Sequence, residues 1–185
     1  NLDFQHLIDP TLSDRSRVWI YQSNRVFSIS EALQLEQELA QFAKEWTSHG
    51  ANVKAAAYLF FGQFIILIAD ETLTTVSGCS TDSSVRFIQT VEKEYGVQLM
   101  DRTTLAFLIK DKIQLLPLSQ LTYAIDHGFI GPATLYFNNL VSTLQELKQD
   151  WILPAGRSWL AKRMPSLAIS EPPQLCRSKY CNETA

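Results

Sequence analysis

Hydrophobic positions alternate with a period of two in Arg17–Gln22: Val18 and Ile20 fall on one side, Trp19 and Tyr21 on the other. Such alternation of β-branched and aromatic residues predicts a strand. After Ser28 the period lengthens. Ala32, Leu35, Leu39, Phe42 and Trp46 recur at spacings of three and four, the stripe of an amphipathic helix. Ser28-Ile29-Ser30-Glu31 has the form of a capping box, with Ser28 as N-cap and Glu31 three residues on. Gly50 is expected to end this helix, with His49 in its last turn. Residues 54–70 are then almost continuously apolar, interrupted at Gly62-Gln63. The run is shorter than the ~20 apolar residues a bilayer span needs. Gly-X between two strand-forming runs signals a type II′ hairpin. The reading is two antiparallel strands, AAAYLFF and FIILIA, with both faces at least partly covered.

Val85, Ile88, Val91 and Tyr95 mark the inner face of a second helix, ended by Gly96. A strand follows over 104–109, a turn over 110–112, and a segment over 113–116 that pairs back. To Ile109 the order is strand, helix, strand, strand, helix, strand. That order predicts an α+β fold, a ferredoxin-like βαββαβ sandwich with two helices on one face of an antiparallel sheet. Beyond it come a short helix over 118–126 stopped by His127-Gly128 and a strand over 134–137. A helix capped at Ser142, with Gln145 three residues on, is expected to end near Trp151. Pro154 breaks the chain before a last helical patch around Trp159. The expected division is an extended lead-in at 1–16 anchored by Leu2, Phe4, Leu7 and Ile8, a core at 17–112, a small C-terminal α+β annex at 113–164, and a flexible tail at 165–185.

Composition narrows the partners. The chain has 185 residues, 46% of them hydrophobic, and a net charge of −3, the profile of an ordinary globular protein. An acidic balance with no basic run argues against a nucleic-acid footprint or a membrane-surface helix. Cys79, Cys176 and Cys181 are too few and too scattered for a disulfide framework, which fits a reducing, cytoplasmic setting. No His or carboxylate set stands at ligand spacing, so neither a metal nor a cofactor is expected. An open edge strand in such a sheet would suit a homodimer.

The densest candidate chemistry lies in SGCSTDSSVRF, residues 77–87. Ser77, Gly78, Ser80, Thr81, Asp82, Ser83, Ser84 and Arg86 have the composition of a loop running into a helix N-terminus, where free backbone N–H groups hold an anion. Asp82 is the simplest N-cap, with Ser80 or Thr81 as alternatives. Arg86 pairs with Asp82 at i, i+4 or clamps a carboxylate or phosphate. Cys79 reads either as a small core residue or as a thiolate favoured by the helix terminus and Arg86, the catalytic group of a cysteine enzyme or thiol sensor. Six residues separate Cys79 from Arg86, one more than in the Cys-x5-Arg loop of cysteine phosphatases. Asn138 and Asn139 read as a turn or as the wall of a polar pocket. The expected function is a binding or assembly module that holds a small anionic ligand or a protein partner. The alternatives are a Cys79-dependent enzyme and a peptide-binding annex.

RVWIYQSNR (17–25), SGCSTDSSVRFI (77–88), FNNLV (137–141) and the spaced Trp151, Pro154, Arg157-Ser158-Trp159 together resemble a family of small, uncharacterised bacterial proteins that often carry the name "ABC transporter ATPase". The resemblance covers residues 17–164 and implies no particular activity. The Gly-Lys-Ser/Thr stretch that wraps nucleotide phosphates is absent, so ATP hydrolysis is not expected. Residues 113–151 carry Pro-Leu-Ser, a short helix, Gly, then Pro-x-Thr-Leu-Tyr, an order similar to the divergent GYF-type fold. Better-known members of that fold bind proline-rich peptides on aromatic surfaces. The Gly-Tyr-Phe signature is absent here.

Overall fold

A computed structural model describes residues 2–48, 51–70 and 78–164, with only the backbone of 47, 48, 51 and 78–80. Its elements are β1 (Arg17–Gln22), α1 (Ile29–Glu45), β2 (Thr47–Ser48), β3 (Ala51–Asn52), β4 (Lys54–Phe60), β5 (Phe64–Asp70), α2 (Gly78–Tyr95), β6 (Thr104–Ile109), β7 (Lys112–Pro117), α3 (Leu121–Asp126), β8 (Leu135–Phe137), α4 (Leu144–Asp150) and β9 (Ile152–Pro154). The α+β class holds. The main strands form two antiparallel sheets, ordered β1-β5-β4 and β7-β6-β8-β9, and β2 pairs with β3.

The first three strands of the βαββαβ order lie side by side as expected. The fourth does not join them. Thr104–Ile109 pairs with β7 and β8 in the second sheet, so a ferredoxin-like topology is not seen. The edge of β1 that such a strand would cover is closed by short contacts. Val18 N donates to Ser142 O, and Asn24 N to Gln98 O. The interval 110–114, across the expected border between core and annex, falls in the β6–β7 hairpin.

β5 is the central strand of its sheet and is buried along its whole length. Its pleat sends Ile65, Leu67 and Ala69 toward Leu35 and Leu39 of α1 and Ile88 and Val91 of α2. Phe64, Ile66 and Ile68 face the other way. They meet Ala106 and Phe137 of the second sheet, Leu144 and Leu147 of α4, and Trp151. A strand covered on both faces has no polar face to present, which is why FIILIA reads as a continuous run. The second sheet's far side packs on α3 and on the turns that carry Ala155 and Leu160. The lead-in contributes Phe4, Ile8 and Leu12 to the middle core; Leu7, an expected anchor, is exposed.

Local chemistry explains most boundaries. The Ser28–Glu31 capping box forms at α1 as expected. The helix ends at Glu45, short of Gly50, because Trp46 is extended and its carbonyl accepts from Val53 N. His49 and Gly50 lie outside the described residues. The β4–β5 turn centres on Phe61 and Gly62, both left-handed at φ +55° and +61°, one residue before the expected Gly62-Gln63 pair. Phe61 holds this backbone because its ring stacks on Trp151 at 5.7 Å and meets Phe137 edge-on at 6.0 Å. The cap of α4 is Thr143 with Glu146, one residue beyond Ser142 with Gln145; Ser142 instead donates its own N–H to Glu146. No described helix is long and apolar enough to cross a membrane.

Candidate functional site

Alternation along β1 points Val18, Ile20 and Gln22 at the second sheet. Gln22 is the exception in that row, a buried amide at the strand's end. Its Nε2 donates to Thr104 O at 3.2 Å, and its Oε1 accepts from Asn139 Nδ2 at 2.8 Å. Asn139 Oδ1 in turn accepts from Trp151 Nε1 at 3.1 Å. One chain of side chains therefore ties the end of β1 to the start of β6, the turn after β8 and the buried indole. Buried amides and an indole N–H are costly without partners, and each here finds its partner in the next.

This network lies beside a cavity of about 110 Å³. Ile20, Leu99, Leu105, Tyr136 and Phe137 supply apolar wall, and Leu118, Leu140 and Trp159 are exposed around it. Gln22, Thr104 and Asn139 add polar surface, and Asp101 and Arg102 stand exposed at the margin. Trp159 is held by its indole N–H, which donates to the Tyr136 hydroxyl at 3.2 Å.

The two charged residues differ in how they are held. Asp101 accepts three hydrogen bonds: from Thr103 N at 2.7 Å, from Thr103 Oγ1 at 2.6 Å and from Thr104 Oγ1. Hydroxyl donation by Thr103, then by Thr104, holds its carboxyl below the usual carboxylate range. Arg102 has no carboxylate within 4.0 Å among the described residues. Its guanidinium lies 5.9 Å from the Tyr21 ring centroid, on the helix side of the edge strand. Burial pushes the Tyr21 phenol up, opposed by the nearby Ser84 hydroxyl and Arg102. Ser84, fully buried, donates to Thr81 O at 2.7 Å.

The residues singled out in 77–86 are thus only partly united. α2 begins at Gly78, so Asp82, Ser80 and Thr81 are inside the helix and none is its N-cap. Asp82 and Arg86 are exposed and form no ion pair with each other or with another described residue. Arg86 borders a shallow groove on α2 with Gln89, Thr90 and Lys93. Ser83 is half-buried. Ser77 lies outside the described residues, as do the side chains of Cys79 and Ser80; Gly78 contributes backbone to the first turn. Ser84 is the buried member of the stretch, near enough to Tyr21 to bear on its phenol. Asn139 lines the cavity and serves as a structural link at once. Asn138 is tied to the far end of α4, its N–H donating to Trp151 O at 2.6 Å and its Nδ2 to Asp150 O at 3.3 Å. The described residues hold no group of three or more His, Cys, Asp or Glu able to bind a metal.

Gln22, Asp101 and Arg102 did not stand out in the sequence. The signal was present in Asp101-Arg102-Thr103-Thr104: an Asp before two Thr at a strand entry forms a side-chain-bonded turn, and an Arg inside such a turn is held out from the chain. A scan against protein-family models, a search of curated proteins and a search of solved structures each return no match to this chain.

Proposed function

We propose that this chain is a binding module for a small molecule carrying a negatively charged group, seated in the cavity beside β1 with that group on Arg102. The observation that carries the reading is a cavity with mostly apolar walls that Arg102, without a carboxylate partner among the described residues, helps to line; seating the group requires the guanidinium to swing from Tyr21 round the edge of β1. The volume, about 110 Å³, is below the ~300–1,000 Å³ of drug-sized pockets, so the ligand is small. Binding rather than turnover follows from the groups at hand. Asp101, already holding three donors, is a poor base. The Gln22 and Asn139 amides are engaged with each other.

Calorimetric titration of the full chain with 4-methylpentanoate, and with inorganic phosphate as a bare anion, tests this. A charge-assisted hydrogen bond is worth about 1.5–3 kcal/mol, so Arg102→Gln weakens binding by roughly tenfold to a hundredfold, while Arg86→Gln leaves it unchanged. Equal affinity for wild type and Arg102→Gln, or an equal loss in Arg86→Gln, contradicts the assignment.

A further inference from the structure

Independently of that cavity, we infer that β7 is a dimerisation edge, along which a second copy of this chain pairs antiparallel about a two-fold axis at Gln114. β7 is an outer strand of the second sheet and pairs, among the described residues, with β6 alone. The turn between them has two residues, Lys110 and Asp111, left-handed at φ +49° and +59°. In such a hairpin the flanking pair, here Ile109 with Lys112, exchanges backbone hydrogen bonds. Lys112, Gln114 and Leu116 therefore turn their N–H and C=O groups to β6, and Ile113 and Leu115 turn theirs outward. No described residue bonds to those outward groups.

Sheets commonly guard an open edge with a charge, a proline or a bulge. Ile113, Gln114, Leu115 and Leu116 carry no charge and no proline, and their register with β6 is unbroken. Open apolar surface flanks the edge on both faces of the sheet. On the α3 side a groove of about 360 Å³ runs from Gln114, Leu115 and Leu116 to Tyr123 and Phe129, which are 61% and 64% exposed. On the other side Ile113 borders a hollow with Leu2, Val26, Phe61 and Leu108.

The pattern is self-complementary, and this names the occupant. With Gln114 opposite Gln114 of the copy, Ile113 faces Leu115 and Leu115 faces Ile113. Each outward N–H of one strand then meets a C=O of the other, the reciprocity of an isologous contact. Pro117, which has no N–H to give, falls opposite the turn residue Asp111, outside the bonded stretch. Ile113 and Leu115 make apolar cross-strand pairs. Lys112 stands opposite Leu116, its stem laid along the leucine and its ammonium in water. No like charges meet.

Sedimentation equilibrium of the full chain over a range of concentrations, with Gln114→Glu and Gln114→Lys, tests this. Gln114 is exposed, so either charge leaves the packing of the single chain alone, yet each sets like charges face to face at the axis. Wild type is expected to dimerise reversibly. Each variant is expected to dimerise roughly threefold to tenfold more weakly at low salt, and an equimolar mixture of the two to recover wild-type affinity or better, a rescue that loss of structure would not give. A monomer at every attainable concentration overturns the inference, even one whose Ile113 and Leu115 amides are shielded from hydrogen exchange, because residues of the same chain then cover the edge. A dimer indifferent to both charges, or one that mixing does not restore, forms at another surface and overturns it too.

Discussion

Asn139 shows how one residue is asked to do two things. Its side chain satisfies Gln22 Oε1 and the Trp151 indole N–H together, both buried, and its flank forms part of the cavity wall. Replacing it with alanine strands an acceptor and a donor. Unsatisfied buried groups cost about 1–3 kcal/mol each, so Asn139→Ala is expected to lower stability by roughly 2–4 kcal/mol in urea unfolding. A loss below about 1 kcal/mol would mean that Gln22 and Trp151 find other partners. Residue types alone offered Asn139 two roles, a turn by default or a pocket wall, because Asn suits both. They could not place Gln22. A single amide in the inward row of RVWIYQ breaks an apolar face, and its reason, Asn139, lies 117 residues further along the chain.

Elements meet through a second polar clamp, at the start of α1. Arg25 makes a bidentate pair with Glu31, at 2.8 and 2.9 Å, and donates to Tyr95 O at the end of α2 at 2.6 Å. The residue that closes the capping box of α1 is thereby fixed against the carbonyl end of α2. The Arg25 guanidinium, followed by the Ser28 N–H, holds the Glu31 carboxyl down at about 2, from an ordinary 4.5. A depressed folded-state pKa stabilises above the unfolded value and is lost as pH falls through the folded one. The stability difference between wild type and Glu31→Gln is therefore expected to be full above about pH 5 and to shrink toward pH 2, read as urea midpoints across that range. A difference that stays constant with pH would detach Glu31 from the clamp. Sequence showed this cap because a capping box is local. It did not show the Arg25 bridge or the fate of Thr104–Ile109, which depend on partners far along the chain. Helix and strand periods report burial, not the neighbour that does the burying. The left-handed Phe61 was hidden for the same reason: only the ring cluster around Trp151 makes that backbone tolerable.

At the scale of the molecule, two sheets share a core through β5 on one side and Ala106 and Phe137 on the other. The departure of β6 into the second sheet leaves one flank of β1 without a full ladder. The turn carrying Asp101 and Arg102 runs beside that flank, and the cavity lies where Gln22, Thr104 and Asn139 span the gap. The site is in this sense a product of the topology: had Thr104–Ile109 paired with β1, backbone would fill the space. The most direct test of this account is an amide-resolved NMR titration of the full chain with 4-methylpentanoate. The account predicts shift changes concentrated at Gln22, across residues 99–104 and at Asn139, and their disappearance in Arg102→Gln. Changes confined to residues 82–93 on the outer side of α2, or none at all, would contradict it.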